Sequence, residues 1–103
     1  MKPRYVLAPE AARDLVEIWQ YLKEHSSLEV ANRVESVILD RILFLTQNPD
    51  AGHWRKDLTD HAVKFFPVYS YLIVYRPQTT PLQVVAILHG RREVERILKH
   101  RPS

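Results

Sequence analysis

The run Tyr71-Leu72-Ile73-Val74-Tyr75 limits the fold more than any other stretch of this chain. It is apolar on both alternating faces, and a strand of that kind belongs at the buried centre of a sheet. Residues 62–68 and 82–88 flank it and are likewise rich in β-branched and aromatic side chains. The pattern predicts three successive strands, over residues 62–68, 69–76 and 82–88, with Pro77 to Pro81 as a hairpin loop.

The first half of the chain has a different period. Residues 4–8 read as a short strand, and Pro9 suits the first turn of a helix, where its missing N–H costs nothing. Ala11, Leu15, Ile18 and Leu22 then recur at spacings of four, three and four, while Glu10, Arg13, Asp14, Glu17 and Lys23 fall mainly elsewhere on the wheel. This predicts an amphipathic helix to about His25. Ser26 followed by Glu29 has the spacing of a capping box and predicts the start of a second helix. Ala31, Val34, Ile38, Ile42 and Leu45 carry that helix to Asn48-Pro49, where proline forbids its continuation. With about two residues between them, the helices must form an antiparallel hairpin.

Residues 50–60 are polar, contain Gly52 and read as a connecting loop. After the last strand, Gly90 is followed by Val94, Ile97 and Leu98 at helical spacing, so a short third helix closes the chain. The expected fold is α+β, with one domain over residues 1–103. It has an N-terminal strand, a helical hairpin across one face of a mainly antiparallel sheet of about four strands, and a short C-terminal helix.

Composition narrows what such a domain can do. One core can be built from 103 residues and two cannot. The absence of cysteine removes disulfides, thiolate metal sites and thiol nucleophiles together. No stretch approaches the roughly 20 apolar residues that span a bilayer, so the cytosol is the expected location. Residues 1–88 balance ten Lys/Arg against ten Asp/Glu. The whole net charge of +3 therefore sits in the tail, where Arg91, Arg92, Arg96, Lys99 and Arg101 meet only Glu93 and Glu95. Such a tail can be a solvated helix end. Equally, it can be a docking surface for an anionic partner, a flexible helix whose removal would leave the domain folded.

Four segments, in this order and spacing, resemble the ParE toxins of the RelE/ParE superfamily. They are Tyr5-Val6-Leu7-Ala8-Pro9-Glu10-Ala11, Asp14-Leu15-Val16-Glu17-Ile18, Phe66-Pro67-Val68 through Tyr71-Leu72-Ile73-Val74-Tyr75-Arg76, and His89-Gly90-Arg91-Arg92. The resemblance covers nearly the whole chain. It implies the toxin of a type II toxin–antitoxin pair, neutralised by a cognate antitoxin. ParE-like members poison DNA gyrase, whereas RelE-like members cut mRNA on the ribosome, and some members of the fold are inert.

RNA cleavage by a 2′-hydroxyl needs a proton acceptor, a proton donor and cations at the phosphoryl centre. Lys56, Arg55, Lys64, Arg76 and Arg92 could supply charge, and His53, His61 or His89 could move protons. Of these, His89, Arg92, Lys56 and Arg76 form the candidate catalytic set of a nuclease, although none pairs with another at motif-like spacing. In RelE-like nucleases the arginine corresponding to Arg92 is followed six residues later by a functional tyrosine. Here that position is Leu98, and residues 50–60 lack the dense lysine cluster of those enzymes. Both departures favour a gyrase-inhibiting, non-enzymatic reading, with Arg91, Arg92, Arg96, Lys99 and Arg101 as the target-binding set. Trp19, Tyr21, Trp54 and Tyr75 are expected as core or rim aromatics. No zinc spacing or phosphate-cradling glycine loop occurs, so no metal or cofactor is expected, and no nucleic-acid motif argues for direct DNA binding.

Overall fold

The computed structural model describes residues 3–100, and within the C-terminal helix the side chains of Val94 and of residues 97–100. The chain runs β1 (Tyr5–Leu7), α1 (Pro9–His25), α2 (Leu28–Gln47), β2 (His53–Trp54), β3 (Lys64–Val68), β4 (Tyr71–Arg76), β5 (Leu82–His89) and α3 (Arg91–His100). The five strands form one sheet in the order β1-β5-β4-β3-β2. The β1–β5 pair is parallel and the other pairs are antiparallel. No helix among the described residues is long and apolar enough to cross a membrane.

Both long helices form as the sequence predicts, with one correction at their junction. Ser26 ends α1, its N–H donating to Leu22 O at 2.9 Å. Its backbone is thus committed to the preceding helix, and Ser27 becomes the cap of α2. The Ser27 hydroxyl accepts from Val30 N–H at 3.0 Å. Three residues after this cap stands Val30 rather than Glu29, so there is no reciprocal carboxylate and no capping box.

The two stripes meet the sheet. Ala11 and Leu15 of α1 and Ile38, Ile42 and Leu45 of α2 are buried against Val68, Ile73, Tyr75, Leu82, Val84 and Ile87. The alternating residues of the sheet face the other way. Phe65, Val74, Ala86 and Leu88 join Leu58 and Val63 beneath Val94 and Leu98 of α3. The sheet therefore has two cores, one under the helical hairpin and one under α3 and the loop before β3. This is why β4, third of the five strands, is apolar on both faces.

A bulge keeps both faces apolar along β5. The β4–β5 register shifts between Val74↔Ala86 and Tyr75↔Val84, leaving Val85 as the extra residue. One extra residue reverses the side-chain parity of a strand. Leu82 and Val84 thus share the hairpin face with Ile87, while Ala86 and Leu88 face α3.

Two boundaries differ from the sequence reading. β2 lies within the polar segment 50–60, and its two residues pair with Phe65 and Lys64. The run expected to begin at Tyr69 begins at Tyr71, because Tyr69 and Ser70 form the turn of the β3–β4 hairpin. The segment before β2 is pinned from the core. The Tyr75 hydroxyl donates to Pro49 O at 2.7 Å and accepts from Gly52 N–H at 2.9 Å. A Cβ at Gly52 would fall on that hydroxyl, so this position needs glycine.

Candidate functional site

The basic C-terminal segment starts at a backbone switch. Gly90 has φ +80°, a conformation that L side chains rarely adopt, and it turns the chain from β5 into α3. Val94 and Leu98, one helical turn apart, are buried in the second core, with Ile97 packed beside them. His61 adds a tether. Its Nε2 lies 3.3 Å from Leu98 O, and since a carbonyl only accepts, the imidazole donates to one of the carbonyls a helix end leaves unpaired. The tail is thus a docked helix, not the loose cationic appendage its charge suggests. Removing it would uncover Phe65, Val74, Ala86 and Leu88.

Of the predicted target-binding set, Lys99 is exposed in the last turn of α3, where a cation meets the helix dipole favourably. The side chains of Arg91, Arg92 and Arg96, and the whole of Arg101, lie outside the described residues. Leu98 is 4% exposed and serves as core.

Among the described residues proposed for RNA cleavage, His89 and Arg76 lie far apart. His89 pairs with Tyr71 at one end of the β4–β5 ladder, while Arg76 pairs with Gln83 at the other. Five residue steps separate them along β4, about 17 Å at the usual rise per residue. Strand alternation also sets Arg76, next to Tyr75 of the hairpin face, on the α3 face. The Arg76 Nε is buried there with no hydrogen-bond partner among the described residues.

Lys56 lies beyond the β2 edge, with its ammonium 5.4 Å from the centre of the Trp54 ring. Lys64 approaches the same ring at 5.2 Å, donates to Asp50 O at 3.3 Å and lies 3.7 Å from the Asp50 carboxylate. Arg55 is held by Asp57 at 2.8 Å. The hydrogen bond to Asp57 holds the Arg55 guanidinium more firmly protonated than usual. His53 is exposed, and His61 is the tether of α3. The cations around Trp54 thus form a local cluster separate from His89.

Near His89 the structure brings together residues that the sequence reading had not joined. A groove of about 590 Å³ lies between α1, the Tyr71–His89 end of the sheet and α3. Asp14, Glu17 and Tyr21 of α1 line it, with Tyr71, His89 and Ile97 opposite. The Tyr71 and His89 rings are tilted against each other with centroids 5.1 Å apart. Burial, and secondly the neighbouring Tyr21, push the Tyr71 hydroxyl above its ordinary pKa, so at neutral pH it stays protonated.

Asp14 is buried, and its Oδ2 accepts the Ile87 N–H of β5 at 3.0 Å. This bond fastens α1 to the sheet. The sequence reading set Asp14 off the apolar stripe, yet it lies three residues after Ala11 and four before Ile18, and it is buried on the same side of α1 as Ala11 and Leu15. Of the aromatics, Tyr75 is core. Trp19 is half-buried and donates to Asn32 Oδ1 at 2.9 Å, and Tyr21 and Trp54 are exposed at the rim.

The comparisons with known proteins bear on the whole domain. The family described as the ParE toxin of the type II toxin–antitoxin system parDE matches residues 5–94. A solved chain of the chromosomal ParDE TA system from P. aeruginosa has a TM-score of 0.70 to this structure. The match covers 82% of this chain and 92% of that one at 18% identity, a likeness of fold. No curated protein is similar to the chain at a significant level.

Proposed function

The chain belongs to the ParE toxin family of type II toxin–antitoxin systems. From that premise we propose that it is a cytosolic toxin that inhibits DNA gyrase without cutting RNA and is neutralised by a cognate antitoxin. One observation carries the choice of inhibitor over nuclease: His89 and Arg76 lie at opposite ends of the β4–β5 ladder. Acid–base and electrostatic catalysis require such groups within hydrogen-bond reach of one reacting centre. Leu98, buried where RelE-like nucleases carry a tyrosine, supports the same reading.

Target binding is assigned to Arg91, Arg92, Arg96 and Lys99 of α3, with Arg101 after it in the sequence as the last of the cationic set. The docked apolar side of α3 supports this role, because a helix fixed to the sheet presents charges at less entropic cost than a free tail. Antitoxin binding is assigned to the outer surface of the helical hairpin. Val16, Leu28, Leu43 and Phe44 are each more than two-fifths exposed there, as suits an amphipathic partner segment.

The test is supercoiling of relaxed plasmid by purified gyrase. The protein should block it, and the neighbouring gene's product should restore it. Primer extension after induction should find no codon-specific mRNA cuts. Untouched supercoiling, or ribosome-dependent cuts lost in His89→Ala, contradicts the proposal.

A further inference from the structure

The edge of the sheet beyond α2 holds a charge that the fold buries and only partly pairs. Lys64 stands opposite Tyr75 of β4 and so shares the hairpin face with it. The Lys64 side chain is 10% exposed. An ammonium has three N–H donors, and among the described residues Lys64 gives one of them, to Asp50 O at 3.3 Å. The Asp50 carboxylate is 3.7 Å away, beyond hydrogen-bond reach, and 97% exposed. A buried cation with spare donors is costly until a further acceptor reaches it.

The surroundings select that acceptor. Trp54 lies opposite Lys64 on the outer edge strand, with the ammoniums of Lys64 and Lys56 at 5.2 and 5.4 Å from its indole ring. These cation–π contacts restrain a side chain that is 46% exposed, so it meets a partner at small entropic cost, as an interface anchor does. Two residues along β3 and on the same face, Phe66 packs against the exposed Phe44 of α2, with ring centroids 6.0 Å apart. Phe44, Phe66 and Trp54 thus make an apolar strip beside a buried cation.

The charges favour a protein over a nucleic acid. Around the indole two ammoniums meet the single carboxylate of Asp50, while Arg55 and Asp57 neutralise each other. One surplus charge suits one carboxylate, whereas a polynucleotide needs a cation for each of several phosphates. The neighbouring aromatic rings call for apolar side chains next to that carboxylate. An acidic, amphipathic segment has both.

We propose that this strip receives an acidic amphipathic segment of the antitoxin, with one of its carboxylates on Lys64. This rests on the toxin–antitoxin reading above and extends the surface assigned to that partner from the helical hairpin onto the edge of the sheet. The test measures affinity for the purified product of the neighbouring gene by titration calorimetry. Wild type is compared with Trp54→Ala and Lys64→Met, and thermal midpoints check that each is folded.

Trp54→Ala should weaken binding about thirty-fold, the loss of an interface anchor, and Lys64→Met about ten-fold. One Asp or Glu of the partner, changed to its amide, should weaken binding to wild type about ten-fold and binding to Lys64→Met hardly at all. In the wild-type complex, amide exchange at residues 53–56 should slow, a reading that needs no variant. The proposal alone is overturned if wild type binds and folded Trp54→Ala binds as tightly, if no partner carboxylate couples to Lys64, or if exchange at residues 53–56 is unchanged. It is also overturned if wild type binds a single-stranded RNA oligonucleotide and Lys64→Met does not, which would assign the cluster to a nucleic acid. If wild type fails to bind the neighbouring gene's product, the toxin–antitoxin reading falls and the proposal falls with it.

Discussion

The two faces of the sheet are built to different standards. One is sealed by helices of 17 and 20 residues joined by a two-residue connection, and its core includes Ile38, Ile42, Ile73, Tyr75 and Val84 at full burial. The other is covered by a ten-residue helix and a loop, with Val94 and Leu98 as the helix's buried anchors. The difference lies in how firmly each cover is held. The hairpin face fixes the fold, while the α3 face holds a cationic helix by a small apolar contact and one histidine tether.

Removing α3 should have the largest effect. If it shields a genuine second core, deleting residues 91–103 uncovers Phe65, Val74, Ala86 and Leu88, and the truncated chain should aggregate or lose its near-UV circular dichroism. A soluble monomer with wild-type cooperativity would show that the second face needs no cover.

Single substitutions on the two faces should differ in cost. Ile42→Ala, at a site with no exposed surface, should cost about 2–5 kcal/mol in urea denaturation. Leu98→Ala should cost less, on the order of 1–2 kcal/mol, because a terminal helix can open locally. Its main sign should be faster amide exchange confined to α3 and residues 58–63. Equal global costs for the two variants would mean that the faces fold as one unit of equal standing.

How much of this could be read from the sequence follows the same divide. The hairpin face was legible because Ala11, Leu15, Ile38, Ile42 and Leu45 repeat at unbroken helical spacing along α1 and α2. On the strands, alternation identified β4 as central, but it could not reveal the bulge at Val85, which is a property of register. The β3–β4 turn was missed because Tyr69 and Ser70 carry no glycine, asparagine or proline signal. The docking of α3 was half legible. Leu98 was placed on an apolar face, yet the charge around it suggested a free tail, and only the second core shows what that face covers. His89 and Arg76 lie apart because sequence distance says nothing about which end or face of a sheet a residue reaches.

A third substitution tests the link between Tyr75 and the segment before β2. Tyr75→Phe leaves Gly52 N–H and Pro49 C=O without their partner and should cost about 1–3 kcal/mol. Burial raises the Tyr75 pKa above its ordinary value of 10.0. The folded state thus retains this proton where the unfolded chain has lost it, so the associated stability is complete below pH 10.0 and declines as pH rises through the folded value. Denaturation midpoints at pH 8 to 11 should fall less steeply in Tyr75→Phe than in wild type. Parallel slopes would remove Tyr75 from the alkaline response.

The most direct test of the central claim combines Arg91→Glu with Arg96→Glu, which alters the charge of α3 and leaves Val94 and Leu98 in place. The variant should keep the wild-type thermal midpoint within a few degrees, and the supercoiling assay is run at low and high salt. Wild type should inhibit gyrase, and the variant should be weaker by about ten-fold or more at low salt, with the gap narrowing as screening shortens to about 10 Å at 0.1 M and less beyond. Equal inhibition by the two proteins at every salt concentration would contradict the account, because the basic helix would then be only a cover for the sheet.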